Sequence, residues 1–187
     1  MAMGSPFQPW GLAADAERDK PAHGVYRPPM PIVNLIDLPA ATPVRTPILG
    51  LDLGDKTIGV AVSDLDRMIA SPLELIRRTK FTDDVDRVFE LMEDRGAMSL
   101  VIGLPVNMDG SEGPRCQSVR AFARNLTRLK DLPIAFWDER LSTSAVQRMM
   151  TDEADLTRAR RADLVDKAAA AWILQGALDR LAEGVKV

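Results

Sequence analysis

The 187-residue chain reads as a mixed α/β protein, and two features of its pattern say so. Three short β-rich runs come first, separated only by tight turns, and helical and strand-like segments then alternate to the end. A hairpin-linked meander followed by alternating elements predicts a mixed sheet with helices on both faces. Five strands are expected, three of them in an antiparallel meander.

Nine of the thirteen prolines fall in the first 47 residues, where neither helical nor strand periodicity can run for long. Residues 1–46 therefore read as a proline-rich, largely disordered extension, and residues 47–187 as the folded domain. Within the extension, Ile32–Leu38 is the one apolar run. It suits a docking segment that packs on this domain or on a partner, and equally an unimportant sticky patch.

From Ile48 the texture changes. Ile48–Leu53 and Thr57–Ser63 are β-rich runs joined by Gly54-Asp55-Lys56, a hairpin with a tight glycine turn. Ile69–Ile76 follows after Leu65-Asp66-Arg67 and completes the meander, and Pro72 inside it predicts an edge position or a bulge. Val85, Val88, Phe89 and Met92 recur at helical spacing over about 82–95, with Thr82 as N-cap and Gly96 as the stop. Ser99–Leu104 is a buried-type strand. Ser111–Lys130 is a second helix with Val119, Phe122, Ala123, Leu126 and Leu129 on one face. Pro133–Asp138 is the next strand, a short helix follows near Ser142–Thr151, and a longer one runs from about Arg161 to Ala182 before Gly184.

Composition narrows the function classes. With 27 acidic and 24 basic residues, no global charge advertises a polyanion partner, so any nucleic-acid surface must be local. The single cysteine, Cys116, can make no internal disulfide. The start of the chain lacks a secretory pattern and no segment reaches the roughly 18 apolar residues of a membrane span. A cytoplasmic protein away from the membrane is expected. The one histidine, His23, sits among turn-formers with no orienting partner, which argues against histidine-based catalysis.

Carboxylates are the remaining candidates. Alternation puts Asp52 on the face shared by Ile48 and Gly50, at the end of an otherwise apolar strand. A charge there is costly unless paired, hydrogen-bonded or metal-bound, although capping of the next turn is a simpler use. Asp138 and Glu139 end the fifth strand on opposite faces, so at most one of them easily joins Asp52. Asp166 shares a helical stripe with Ala169, Ala170, Ile173 and Ala177. The small side chains of Ala168–Ala171 would let that helix approach the sheet closely. Carboxylates brought together resist ionisation unless divalent cations lie between them. Oxygen ligands favour Mg2+ or Mn2+, and two such ions can activate water and stabilise the leaving oxygen of a phosphodiester.

Four blocks then resemble one family. Ile48–Asp64 (ILGLDLGDKTIGVAVSD), Val101–Gly110 (VIGLPVNMDG), Asp138–Thr143 (DERLST) and Val165–Gln175 (VDKAAAAWILQ) are similar, in order, to the YqgF, or RuvX-like, family of Holliday junction resolvases and pre-16S rRNA nucleases. The resemblance implies an RNase H-like fold and a nuclease acting in 5′-end maturation of the 16S ribosomal RNA precursor, with cleavage of branched DNA as the alternative. It also implies Asp52, Glu139 and Asp166 as catalytic, metal-binding acids, with Asp138 in reserve. Lys56, Asn107, Asp109, Gly110, Arg115, Arg140, Ser142 and Thr143 are the corresponding substrate-binding candidates. Arg158-Ala-Arg-Arg-Ala-Asp163 departs from the family's usual glycine- or lysine-containing loop, as does the proline-rich extension. Two rival readings are an ATP-binding module, for which the chain has no room for a second lobe, and a non-catalytic ribosome- or nucleic-acid-binding factor. A monomer and a homodimer are both compatible with the sequence.

Overall fold

The computed structural model describes residues 32–141 and 158–184, with residues 141 and 158–167 described as backbone alone. Its elements are β1 (Ile32–Val33), α1 (Leu38–Ala41), β2 (Ile48–Leu53), β3 (Thr57–Ser63), β4 (Ala70–Arg77), α2 (Phe81–Arg95), β5 (Ser99–Leu104), α3 (Pro114–Leu129), β6 (Ile134–Asp138) and α4 (Arg158–Gly184). Short 3-10 turns precede α1 and follow β6.

The meander forms as expected. β2 and β3 pair antiparallel with Asp52 opposite Gly59, and their turn is closed by the Gly54 N–H donating to the Thr57 carbonyl at 2.9 Å. β4 pairs antiparallel with β3 at the edge of the sheet, and its register slips where Pro72 faces Ala61 and Glu74 faces Val60. Proline thus takes both roles open to it, edge and bulge, because it has no N–H for a ladder. The strand starts at Ala70; Ile69 is exposed in the preceding turn.

β5 lies parallel to β2, and β6 parallel to β5. The sheet has six strands in the order β1-β6-β5-β2-β3-β4, which corrects the expected five. The sixth comes from the segment assigned on composition to the extension: β1 runs parallel to β6 with Val33 beside Ala135. Val33 and Leu38 are buried against the domain. The apolar run of 32–38 therefore packs on its own domain, burying apolar surface that the proline count concealed.

One face of the sheet carries Leu49, Leu51, Leu100 and Ile102 against α2 and α3. The other carries Ile48, Val101, Ala135 and Trp137 against Ala170, Ile173, Leu174, Ala177 and Leu178 of α4. Helices thus cover both faces. Gln175 pins α4 to the start of β4, its side-chain carbonyl accepting from Ala70 N–H at 2.8 Å and its amide donating to the Met68 carbonyl at 3.0 Å.

Helix ends differ in detail from expectation. α2 begins at Phe81 with Lys80 at the N-cap, not Thr82. An acid organises the entry instead: Asp84 accepts from the Thr79 N–H at 2.9 Å. Gly96 does stop the helix, in the left-handed conformation at φ 64° that glycine tolerates without penalty. α3 starts at Pro114, where proline's missing N–H costs nothing. Gly184 is the last residue of α4 and not a cap beyond it. The helix expected near 142–151 lies outside the described residues.

Candidate active site

The parallel arrangement of β2, β5 and β6 brings their C-terminal ends to one edge, so Asp52 and the 138–140 segment meet across β5. Side-chain parity then sorts the acids. Asp52 follows Ile48 and Gly50 onto the α4 face. On β6 that face holds Ala135 and Trp137, so the next residue in phase is Glu139, while Asp138 follows Ile134 to the opposite face.

Glu139 lies directly over Gly103. A Cβ placed on Gly103 would stand 2.7 Å from Glu139 Oε1 and 2.6 Å from Ile173 Cδ1, so the absent side chain is the space the carboxylate occupies. Burial, and then the neighbouring charge of Asp52, push the Glu139 carboxyl up to about 7; Arg115 opposes the shift and Asp138 adds to it. Burial and a neighbouring like charge both disfavour the ionised carboxyl.

Asp138 has the opposite surroundings. Arg140 donates from Nη2 to Asp138 Oδ2 at 2.6 Å and from Nε to Oδ1 at 3.0 Å, and its backbone N–H also reaches Oδ1 at 3.0 Å. These bonds hold the Asp138 carboxyl below its ordinary range. The same guanidinium reaches the Asn107 carbonyl at 3.4 Å, bracing the loop after β5 against the end of β6.

That loop is a closed turn. Gly110 N–H donates to the Asn107 carbonyl at 2.8 Å with φ 85° at Gly110, a backbone state that favours glycine. Asp109 accepts from the Ser111 hydroxyl at 2.6 Å and from its N–H at 2.9 Å, which lowers the Asp109 pKa. Among the substrate candidates, Asn107, Asp109, Gly110 and Arg140 thus form one braced corner. Arg115 stands in the first turn of α3, within electrostatic reach of Glu139, and Lys56 is exposed in the β2–β3 turn. Ser142 and Thr143 lie outside the described residues.

Asp166 sits on the described backbone of α4, one turn before Ala170, and its side chain lies outside the described residues. What the structure does show is how closely this helix approaches. A Cβ on Gly50 would stand 2.7 Å from Leu174 Cβ, and one on Gly176 would stand 2.7 Å from the Trp137 ring. Of Ala168–Ala171, expected from their size to permit the approach, Ala170 alone is buried, and glycines on both sides do most of it. Trp137 is buried beneath Gly176 and cannot stack on a substrate. Arg120 of α3 pairs with Glu112 at 2.7 Å and stacks over Phe136 at 4.8 Å. Gly103 was not among the sequence candidates, although a glycine within an otherwise apolar buried strand signals that something approaches closely there.

Among the described residues, no three His, Cys, Asp or Glu side chains form a metal cage; two acids converge, Asp52 and Glu139. Their all-oxygen donor set fits a hard divalent cation. Among the described residues, no helix is long and apolar enough to cross a membrane.

A model of the family described as "RuvX: Holliday junction resolvase" matches residues 46–180. A protein of Phenylobacterium zucineum (strain HLK1), named "Putative pre-16S rRNA nuclease", is 74% identical over 153 residues, covering 81% of this chain and 98% of that one. Proteins of the same name from Caulobacter vibrioides (strain NA1000 / CB15N) and Rhodospirillum rubrum are each 61% identical, over 81% of this chain and 98% and 94% of their own. Among solved structures, T. thermophilus RuvC in complex with a Holliday junction substrate aligns with 73% of this chain and 96% of its own, at 14% identity and a TM-score of 0.45.

Proposed function

Because the chain belongs to the RuvX family of Holliday junction resolvases, we propose that it is a metal-dependent nuclease acting in 5′-end maturation of the 16S ribosomal RNA precursor in the cytoplasm. The observation that carries the chemistry is the convergence of Asp52 and Glu139 on the α4 face, with Glu139 pushed up to about 7. The observation that favours the RNA substrate is the name carried by relatives 59–74% identical over nearly their whole length.

In this reading Asp52, Glu139 and Asp166 hold Mg2+ or Mn2+, with Asp166 contributed by the helix that Gly50 and Gly103 allow against the sheet. The bound ions supply an activated water and charge stabilisation for the leaving oxygen. The chain's own residues do the rest. Asp138 holds Arg140, Arg140 holds the Asn107 turn, and both stiffen the strand end from which Glu139 projects. Lys56, Asn107, Gly110, Arg115, Arg140, Ser142 and Thr143 contact the nucleic acid around the acids. Asp109, whose carboxylate is taken up by Ser111, shapes the turn that presents its neighbours.

The family description also names a branched-DNA substrate, so the test offers both. Wild type and Asp52→Asn are given a 16S precursor RNA and a four-way DNA junction with Mg2+, with Mn2+ or with EDTA. Cleavage of the RNA that requires metal and is lost in Asp52→Asn, at unchanged melting temperature, is the expected result. Full cleavage by the purified variant removes the assignment, and cleavage of the junction alone moves the substrate to DNA.

A further inference from the structure

A cleft opens at the end of β2 that carries Asp52, between the β2–β3 turn, the link from β4 to α2, and the first turns of α3. Leu53 and Phe122 line its floor, and Arg78, Arg115, Ser118 and Asp55 line its rim. At ≈ 160 Å³ it is smaller than the roughly 300–1,000 Å³ of pockets that take whole small molecules. It suits one compact polar group.

Arg78 is already held in place. Its Nη1 donates to the Gly54 carbonyl at 2.8 Å, and its Nε stands 3.6 Å from Asp84 Oδ2, a carboxylate that is 3% exposed. Asp84 is itself fixed by the Thr79 N–H. A guanidinium has five donors, so these two partners leave others for a ligand, and little ordering cost remains to be met on binding. Arg115 also lines the cleft, from the first turn of α3. The floor residue Leu53 directly follows Asp52 in β2. Leu53 faces α2 and α3, so the cleft opens at the same end of β2 as the acids, on the other face of the sheet, with Arg78, Arg115 and Asp55 in its lining.

We propose that this cleft seats a backbone phosphate of the nucleic-acid strand next to the bond being cut, gripped between Arg78 and Arg115. The proposal rests on the nuclease reading of the Asp52–Glu139 site, and it adds Arg78, a residue that no motif marks. Planar guanidiniums match phosphate oxygens two at a time, and a phosphate held beside the reacting one fixes the strand's register without reading its bases.

The test is binding without cleavage. A fluorescently labelled single-stranded RNA spanning the precursor's 5′ cleavage point is titrated with the full chain in EDTA, at salt between about 50 and 200 mM. Wild type is compared with Arg78→Gln, Arg78→Lys, Arg115→Gln and Ser118→Glu, and with Arg95→Gln at the far end of α2 as the control. For a single strand, removing one cationic partner of a phosphate should reduce the slope of log affinity against log salt by about 0.7. Arg78→Gln, Arg115→Gln and Ser118→Glu should each show that reduction, whereas Arg78→Lys and Arg95→Gln keep the wild-type slope. Should Arg78→Gln fail to fold because Asp84 loses its partner, Arg115→Gln and Ser118→Glu, both on the exposed side of α3, still decide the matter. Wild-type slopes in those two overturn the proposal. A chain whose slope falls as expected but which never cleaves any substrate keeps the phosphate seat and removes the nuclease reading. A chain that cleaves but shows no slope change does the reverse.

Discussion

At the end of β6 two consecutive carboxylates live on opposite faces of one strand. Asp138 faces the Asn107 corner, accepts from the Nη2, Nε and backbone N–H of Arg140 and is held below its ordinary pKa. Glu139 faces α4, lies over Gly103 beside Asp52 and is pushed up to about 7. Equal chemistry in adjacent positions thus meets an arginine on one side, and burial beside a second carboxylate on the other. A carboxylate paired with arginine braces the scaffold; one raised by burial beside a second carboxylate is a candidate for chemistry. Burial first and the charge of Asp52 second raise Glu139, whereas the Arg140 bonds lower Asp138.

The sharpest way to break this contrast is to neutralise each acid in turn. Glu139→Gln should cut metal-dependent cleavage by about 10³-fold, since metal-borne charge stabilisation amounts to several kcal/mol. It should leave the melting temperature unchanged or slightly higher, because the charged form was disfavoured. Asp138→Asn should do the reverse in proportion: a stability loss of about 1 kcal/mol or less for a partly exposed pair, and a cleavage loss of only about 10–100-fold through the loosened Arg140 brace. Thermal melts alongside single-turnover rates read both. Equal rate losses in the two variants would show that parity does not assign the roles.

The same comparison can be sharpened with glycines. Gly103→Ala places its Cβ against two flexible side-chain ends, Glu139 Oε1 and Ile173 Cδ1, so the fold should hold while Glu139 moves and cleavage drops by about 10–100-fold. Gly50→Ala meets Leu174 Cβ at 2.7 Å and the Ala170 carbonyl at 3.2 Å, neither of which can swing away. It should cost about 1–3 kcal/mol of stability by overpacking. Calorimetric melts and activity assays on both variants check this; a Gly103→Ala protein with wild-type cleavage would sever the link between that glycine and the site.

Much of this was legible in the order of residues, and the failures have physical causes. Alternation along Ile48–Leu53 placed Asp52, and the same rule limited β6 to one partner for it. Choosing between Asp138 and Glu139 from the residues needed to know which face α4 covers, a tertiary fact that no strand encodes. The meander, the buried β5 and the α4 stripe were readable because each repeats a period several times. β1 was not, since a two-residue strand has no period to read, and its prolines suggested a tail. Arg78 carried no signal either: it matters only because the β4–α2 link meets α3 in space.

The gentlest probe of the contrast is pH. In the metal-free protein Glu139 has its folded pKa raised from 4.5 to about 7, so the folded chain holds a proton that the unfolded chain has released in that window. Its contribution to stability is therefore present below about pH 4.5 and is lost as pH rises toward 7. Asp138, with its pKa lowered, has the opposite sign: its contribution is present above the ordinary carboxylate range and is lost as pH falls through the lowered folded value. Metal binding should report the first of these directly, because the cation must displace the Glu139 proton. Mg2+ affinity is expected to rise by up to about tenfold per unit as pH approaches 7 and to level off beyond it. Titration calorimetry in buffers of different ionisation enthalpy would count the proton released, and Glu139→Gln should abolish the slope along with most of the affinity. A flat affinity from about pH 5.5 to 7.5 in wild type would mean that Glu139 does not hold the ion, and that its raised pKa reflects burial alone.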